Sequence, residues 1–85
     1  MANETPLIDV GGALKISREK AGLSQWDLFE KSGLLPGYIS RIERGEIRYP
    51  RLSTIKKLCK ALGIQVDEFI NQACDLVCEN FRDQP

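Results

Sequence analysis

An all-α domain of five short helices is what this 85-residue sequence predicts. Three observations carry the prediction. Apolar residues recur at helical spacing from Val10 onward, most plainly Val66, Phe69, Ile70, Ala73, Cys74, Val77 and Phe81 at steps of 3, 1, 3, 1, 3 and 4. Gly22, Gly33, Gly45 and Gly63 follow the periodic segments, where helices are expected to stop. The length suits one small domain, and a content of 42% apolar and 28% charged residues suits a folded chain.

Residues 1–9 contain Pro6 and no clear period, and read as a flexible arm. From Val10 the pattern is helical, with Val10, Leu14 and Ala21 near one face, and Ala21-Gly22-Leu23 ends it. Ser24 opens a second helix through a capping box in which Asp27 replaces the usual Glu. Leu28 and Phe29 form its inner face, and Gly33 ends it. Trp26, at its outer start, is expected to pack over the domain edge, as large aromatics usually do. A third helix fits Pro36 to Arg44, because proline is welcome where its missing N–H would be unbonded anyway. It starts weakly: Leu35 takes the cap position, where Ser or Thr contributes about 1 kcal/mol, and Gly37 costs about another 1 kcal/mol relative to Ala. Leu34, Ile39 and Ile42 must hold it by packing. Residues 46–50 form a loop. A fourth helix follows from Leu52 to Leu62, with Leu52, Ile55, Leu58, Cys59 and Leu62 on one side, and a fifth runs from Val66 to Phe81.

The net charge is zero, but its distribution is not even. Residues 1–40 carry four basic and five acidic groups, residues 41–60 seven and two, and residues 61–85 one and five. A basic centre between acidic ends is an electrostatic footprint that the total hides. Three cysteines, Cys59, Cys74 and Cys78, stand at no zinc-like spacing and there is no histidine. They read as small packing residues, so neither a metal nor another cofactor is expected. With no phosphate-binding glycine loop and no carboxylate pair in an evident cleft, an enzyme is not expected either. No apolar run approaches the ~18 residues of a membrane span. MANETPLIDV lacks the basic start and apolar stretch of a secretory signal, so the chain is expected in the cytoplasm.

The stretches "LKISREKAGLSQWDLFEKSG", "YISRIERG", a proline five residues past Gly45, and "LSTIKKLCKALGIQVDEF" stand together in order, length and spacing. Over residues 10–70 the chain resembles the helix-turn-helix family of phage repressors and Cro, with the motif at about 25–44. "GYISRIERG" is especially similar to the small controller proteins of restriction–modification systems. The resemblance implies a five-helix lambda-repressor-like fold and a sequence-specific regulator that binds double-stranded DNA. By position it implies that Gln25 touches a phosphate and steadies the reading helix, and that Arg18 and Glu43 tie helix one to the end of helix three. It implies that Tyr38 and Arg41 face base edges, and that Arg44, Arg48 and Arg51 lie near the DNA backbone.

Three departures from the family pattern bear on specificity. The two first-turn positions that often carry base-reading side chains are Pro36 and Gly37, which leaves Arg41 as the main direct reader, on a guanine O6/N7 pair. Tyr38 is left to a thymine methyl or a phosphate, and DNA shape carries the rest. Leu35 replaces the usual polar cap. Phe29 stands where the motif has Ala, and its spacing suggests that it fills the place of the side chain missing at Gly37.

The helix over 66–85 carries an apolar stripe too broad for one small domain. Leu76, Val77 and Phe81, rimmed by Asp75, Glu79, Arg82 and Asp83, are expected to form a homodimer interface. The competing reading, favoured by the acidic fifth helix and the depleted reading face, is a protein-binding module on the same scaffold. Its partner would be a protein, as for an antitoxin or a degenerate regulator.

Overall fold

The computed structural model describes residues 8–82, with side chains for residues 8–76. The elements are α1 (Val10–Lys20), α2 (Gln25–Ser32), α3 (Pro36–Glu43), α4 (Leu52–Leu62) and α5 (Val66–Arg82), and among the described residues there is no strand. The glycines that follow α1 to α4 are left-handed, with φ between 73° and 81°. An L side chain rarely adopts that conformation, so these turns hold the helices apart at fixed places.

Each helix starts differently, and the sequence explains why. Asp9 caps α1 by accepting a hydrogen bond from the Gly12 N–H at 3.0 Å, while its own N–H donates to the Ala73 carbonyl at 3.0 Å. The entry to α1 is thereby fastened to α5. In α2 the box closes in both directions: Asp27 N–H donates to Ser24 Oγ at 3.0 Å, and Ser24 N–H donates to Asp27 Oδ2 at 2.9 Å. The Ser24 N–H, then its hydroxyl, holds the Asp27 carboxyl below its ordinary value of 3.8. That contribution is present above the unfolded value and disappears as the pH falls through the folded one. α3 begins at Pro36 with Leu35 as N-cap and no side-chain cap bond.

α1 lies against α5 and α3, α2 against α3 and α4, and α5 also touches α4. The side chains of Leu14, Leu28, Ile39, Ile42, Leu58 and Phe69 are fully buried where these faces meet. Cys59 joins them, and burial pushes its thiol up from the ordinary value, so it remains protonated packing material. Ser17, the buried polar residue of α1, donates from Oγ to Gln72 Oε1 at 3.0 Å.

Three side chains differ from expectation. Ala21 is exposed, since it forms the C-cap of α1 and lies past the last packed turn. Leu52 is exposed as well: it shares the face of Ile55 by period, but it is the first residue of α4, and Pro50 just before it is the buried one. Trp26 is 58% exposed, because an eight-residue helix turns one flank inward and Leu28 occupies it. Its ring rests against Phe29 at 5.0 Å, and Nε1–H donates to Glu30 Oε2 at 3.2 Å. Leu76, expected at a dimer face, packs on its own core while keeping part of its surface uncovered, which is compatible with that expectation. A Cβ at Gly12 would stand 3.0 Å from Leu76 Cδ1, so the absence of a side chain there is what lets α5 settle on α1. The other two members of that face, Val77 and Phe81, lie outside the described side chains.

Candidate nucleic-acid interface

Glu43, the last residue of α3, is the junction of the domain. Arg18 of α1 reaches it with a two-pronged contact, Nε donating to Oε2 at 2.7 Å and Nη2 to Oε1 at 3.1 Å. Arg18 Nη1 donates to the Leu23 carbonyl at 2.8 Å, which fixes the turn between α1 and α2. Gln25, first in α2, donates from Nε2 to Glu43 Oε1 at 3.1 Å. One carboxylate thus joins three helices and a turn. The side chains of Arg18 and Glu43 are only 12% and 5% exposed, so the pair is poorly screened. The hydrogen bond that Arg18 donates to Glu43 raises the guanidinium above its ordinary value and outweighs the burial that lowers it. Gln25 therefore steadies α3 through a direct bond to its final residue.

α3 divides cleanly. Ile39 and Ile42 are buried, and Tyr38 is half-buried against the core. The opposite side is an outward ridge of Gly37, Arg41 and Arg44, spaced i, i+4 and i+7, flanked by Ser40. Arg41 is exposed, and among the described residues it has no ion pair and no side-chain hydrogen bond. Arg48 and Arg51, in the segment leading to α4, are likewise exposed and unpaired among the described residues. Arg44 differs: Nε donates to Glu46 Oε2 at 2.9 Å and Nη1 donates to Ser40 Oγ. Arg44 in turn holds the Glu46 carboxyl below its ordinary value. Three free guanidinium groups and one held in place therefore follow the ridge and the adjoining loop.

The exchange between Phe29 and Gly37 expected from spacing does not occur. A Cβ built at Gly37 would meet nothing within 4 Å, so Phe29 does not fill that place. Phe29 packs toward the core beside Trp26. Gly37 lies on the exposed start of α3 without a left-handed φ, so Gly37→Ala is expected to stabilise the domain by about 0.5–1 kcal/mol. Urea unfolding followed by circular dichroism measures this, and a loss of stability would show that the site is not open.

Other features of the site escaped sequence reasoning. Gly11 stands where α1 meets the end of α3: a Cβ there would lie 2.3 Å from the Ile42 carbonyl oxygen and 3.1 Å from that of Glu43. The only sequence signal was a Gly-Gly pair inside a periodic helix, where glycine is otherwise a cost. Asp9 as a cap was legible in principle, being an Asp directly before the first apolar periodic residue.

This arrangement matches known proteins. A helix-turn-helix family model matches residues 14–69. The immunity repressor protein of Bacillus phage phi105 is 38% identical over 63 residues, 74% of this chain and 43% of that protein, so the chain spans less than half of that relative's length. The restriction–modification controller protein C.AhdI from Aeromonas hydrophila is 40% identical, with a TM-score of 0.68 covering 74% of this chain and 94% of that one. The controller protein C.Esp1396I, solved as a tetramer in complex with its natural 35 base-pair operator, is 28% identical, with a TM-score of 0.77 over 89% of this chain and 99% of that chain. With well over half of its residues inside the family model and a junction that holds α1, α2 and α3 together, the chain belongs to the Cro/C1-type helix-turn-helix family.

Proposed function

We propose that this chain is a sequence-specific DNA-binding transcriptional regulator that acts as a homodimer on a twofold site. The observation that carries the reading is the outward ridge of α3, held rigid from behind by Glu43, with Arg41 exposed on it and Arg48 and Arg51 beyond its end. A solvated surface has no need of three unpaired guanidinium groups within eleven residues of chain. A DNA groove does, because each group releases counterions from phosphate or forks onto a guanine. Gln25, at the start of α2, retains a second amide N–H for a phosphate contact. Arg44, braced by Glu46, presents a fixed direction at the end of the ridge.

The dimer reading rests on α5. Leu76 is partly, not fully, covered by its own chain, and the sequence continues that stripe through Val77 and Phe81. A second copy would cover it and would set two α3 helices on one face of DNA, about one turn or ~34 Å apart. The acidic residues of α5 keep that face away from phosphate.

Selection of binding sites from random duplexes tests the reading directly, and enrichment of a palindrome is the expected result. At the selected site, Arg41→Ala is expected to cost about 1–3 kcal/mol and to relax preference at one base pair. Arg48→Ala and Arg51→Ala are expected to weaken all sequences alike and to lower the salt slope by about 1 each. No enrichment, with affinity unchanged in all three variants, would instead favour a protein-binding surface. Sedimentation of the Val77→Asp, Phe81→Asp double variant tests the dimer: persistence of the dimer would remove α5 from the interface.

A further inference from the structure

We propose that the N-terminal end of α3 reads the C5-methyl groups of pyrimidines in the major groove, thymine above all, with Leu35 and the bare backbone at Gly37 as its specificity-determining elements. The inference rests on the reading that α3 enters DNA, and adds which bases that entry selects.

Leu35 is 66% exposed, more than Trp26, Tyr49 or Leu52. It occupies the N-cap of α3, where a Ser, Thr, Asp or Asn would close an unsatisfied N–H, and it makes no side-chain cap bond. Folding therefore accounts for leucine neither as a buried side chain nor as a cap. Pro36 follows with no N–H to offer, and Gly37 follows with a side-chain place that is open for 4 Å around. Three successive residues at the leading end of the outward ridge thus carry no side-chain donor or acceptor. Tyr38, which has one, is half-buried against the core, and Arg41 is the first exposed donor along the ridge.

The chemistry of the groove decides what such an end can recognise. The base edges there are hydrogen-bonding groups, N7 and O6 of guanine, N7 and N6 of adenine, N4 of cytosine and O4 of thymine, together with one apolar group, the thymine C5-methyl. A polar edge pressed against Leu35, Pro36 and Gly37 loses water and gains no partner. A methyl group in the same place loses water favourably. The missing side chain at Gly37 lets the backbone come close enough to surround it. Arg41 lies four residues further on, about 6 Å along the helix axis. A methyl-bearing pyrimidine and a guanine should therefore be read within about two base pairs of each other, base pairs being spaced about 3.4 Å apart.

The experiment replaces each thymine of the selected duplex, one at a time, with deoxyuridine, which deletes the methyl group and leaves every hydrogen-bonding edge in place. With the full chain, affinity should fall about four-fold at one or two positions per half-site, the worth of one buried methyl group. The same substitution should cost nothing in Leu35→Ser. That variant supplies a good cap at an exposed position, so it will fold. A 5-methylcytosine placed at the sensitive position should bind about four-fold better than cytosine there. Ordinary affinity for deoxyuridine at every position overturns the inference and leaves DNA binding standing. An undiminished deoxyuridine effect in both Leu35→Ser and Gly37→Ala also overturns it, by assigning the methyl group to another residue. Failure to bind any duplex overturns the inference together with the reading beneath it.

Discussion

Replacing Glu43 with Ala is expected to cost the domain about 3 kcal/mol, the lower end of the range for removing one partner of a buried ion pair. The lower end applies because the Arg18 side chain keeps 12% of its surface in contact with water. The loss has three parts. The Arg18 guanidinium is left nearly buried without its carboxylate, Gln25 loses the acceptor of its amide, and the end of α3 loses its tie to α1. Domains are stable by about 5–15 kcal/mol, so the loss amounts to roughly a fifth to three fifths of the total. Urea unfolding followed by far-ultraviolet circular dichroism measures the change. The pair variant Arg18→Met, Glu43→Leu should recover most of the loss, since matched apolar groups often replace a buried ion pair without penalty. A loss below about 1 kcal/mol in Glu43→Ala would place the pair with ordinary surface salt bridges.

Gly11→Ala is expected to cost about 2–3 kcal/mol. Alanine gains about 1 kcal/mol over glycine as a helix former, so the gross penalty is larger than the net. It arises because the new methyl would stand 2.3 Å from the Ile42 carbonyl oxygen. That atom belongs to backbone at the end of α3, not to a side chain that can turn aside, and overpacking of this kind typically costs about 1–3 kcal/mol, occasionally more. Gly12→Ala is the control. Its Cβ would meet Asp9 Oδ2 at 2.5 Å, the end of a side chain that can move aside by giving up its cap bond, so its cost should be smaller, about 1 kcal/mol. If α1 yields and the variant folds, α3 must shift with it, and DNA affinity should fall even though no residue of the ridge has changed. Equal stability of the two alanine variants would mean that α1 and α3 do not meet at Gly11.

The helices were legible because each carries its own punctuation. The Ser24–Asp27 box, Pro36 at a first helical position and Gly33 and Gly63 at helix ends are local signals, and local backbone physics decides them. Leu28, Ile39, Ile42, Leu58 and Phe69 followed from periodicity and are buried. The misplacements have separate causes. Leu52 and Ala21 have the right phase but lie at helix ends, where period continues and packing does not. Trp26 was judged by its type, although the length of α2 decided its exposure. Gly11 was silent because a close approach between helices is a property of two segments at once. At the site, the resemblance paired Arg18 with Glu43 and gave Gln25 a phosphate. The bond between Gln25 and Glu43, and the brace from Arg44 to Glu46, depend on rotamers that no spacing reveals.

The division of α3 into a held side and an outward ridge has a consequence for how such a protein can change. Ile39, Ile42 and Glu43 carry the attachment of the helix, and Gly37, Ser40, Arg41 and Arg44 carry none of the buried packing. On the proposed function, adhesion and reading are thus written in separate letters of α3 and its C-cap. Drift or design can rewrite the outward letters while the helix stays in its seat, and two descendants of one ancestor can come to serve different sites with no difference in fold. A side chain put at Gly37 projects into empty space in the domain alone, so the fold permits any residue there, and only the partner at the ridge sets which one suits.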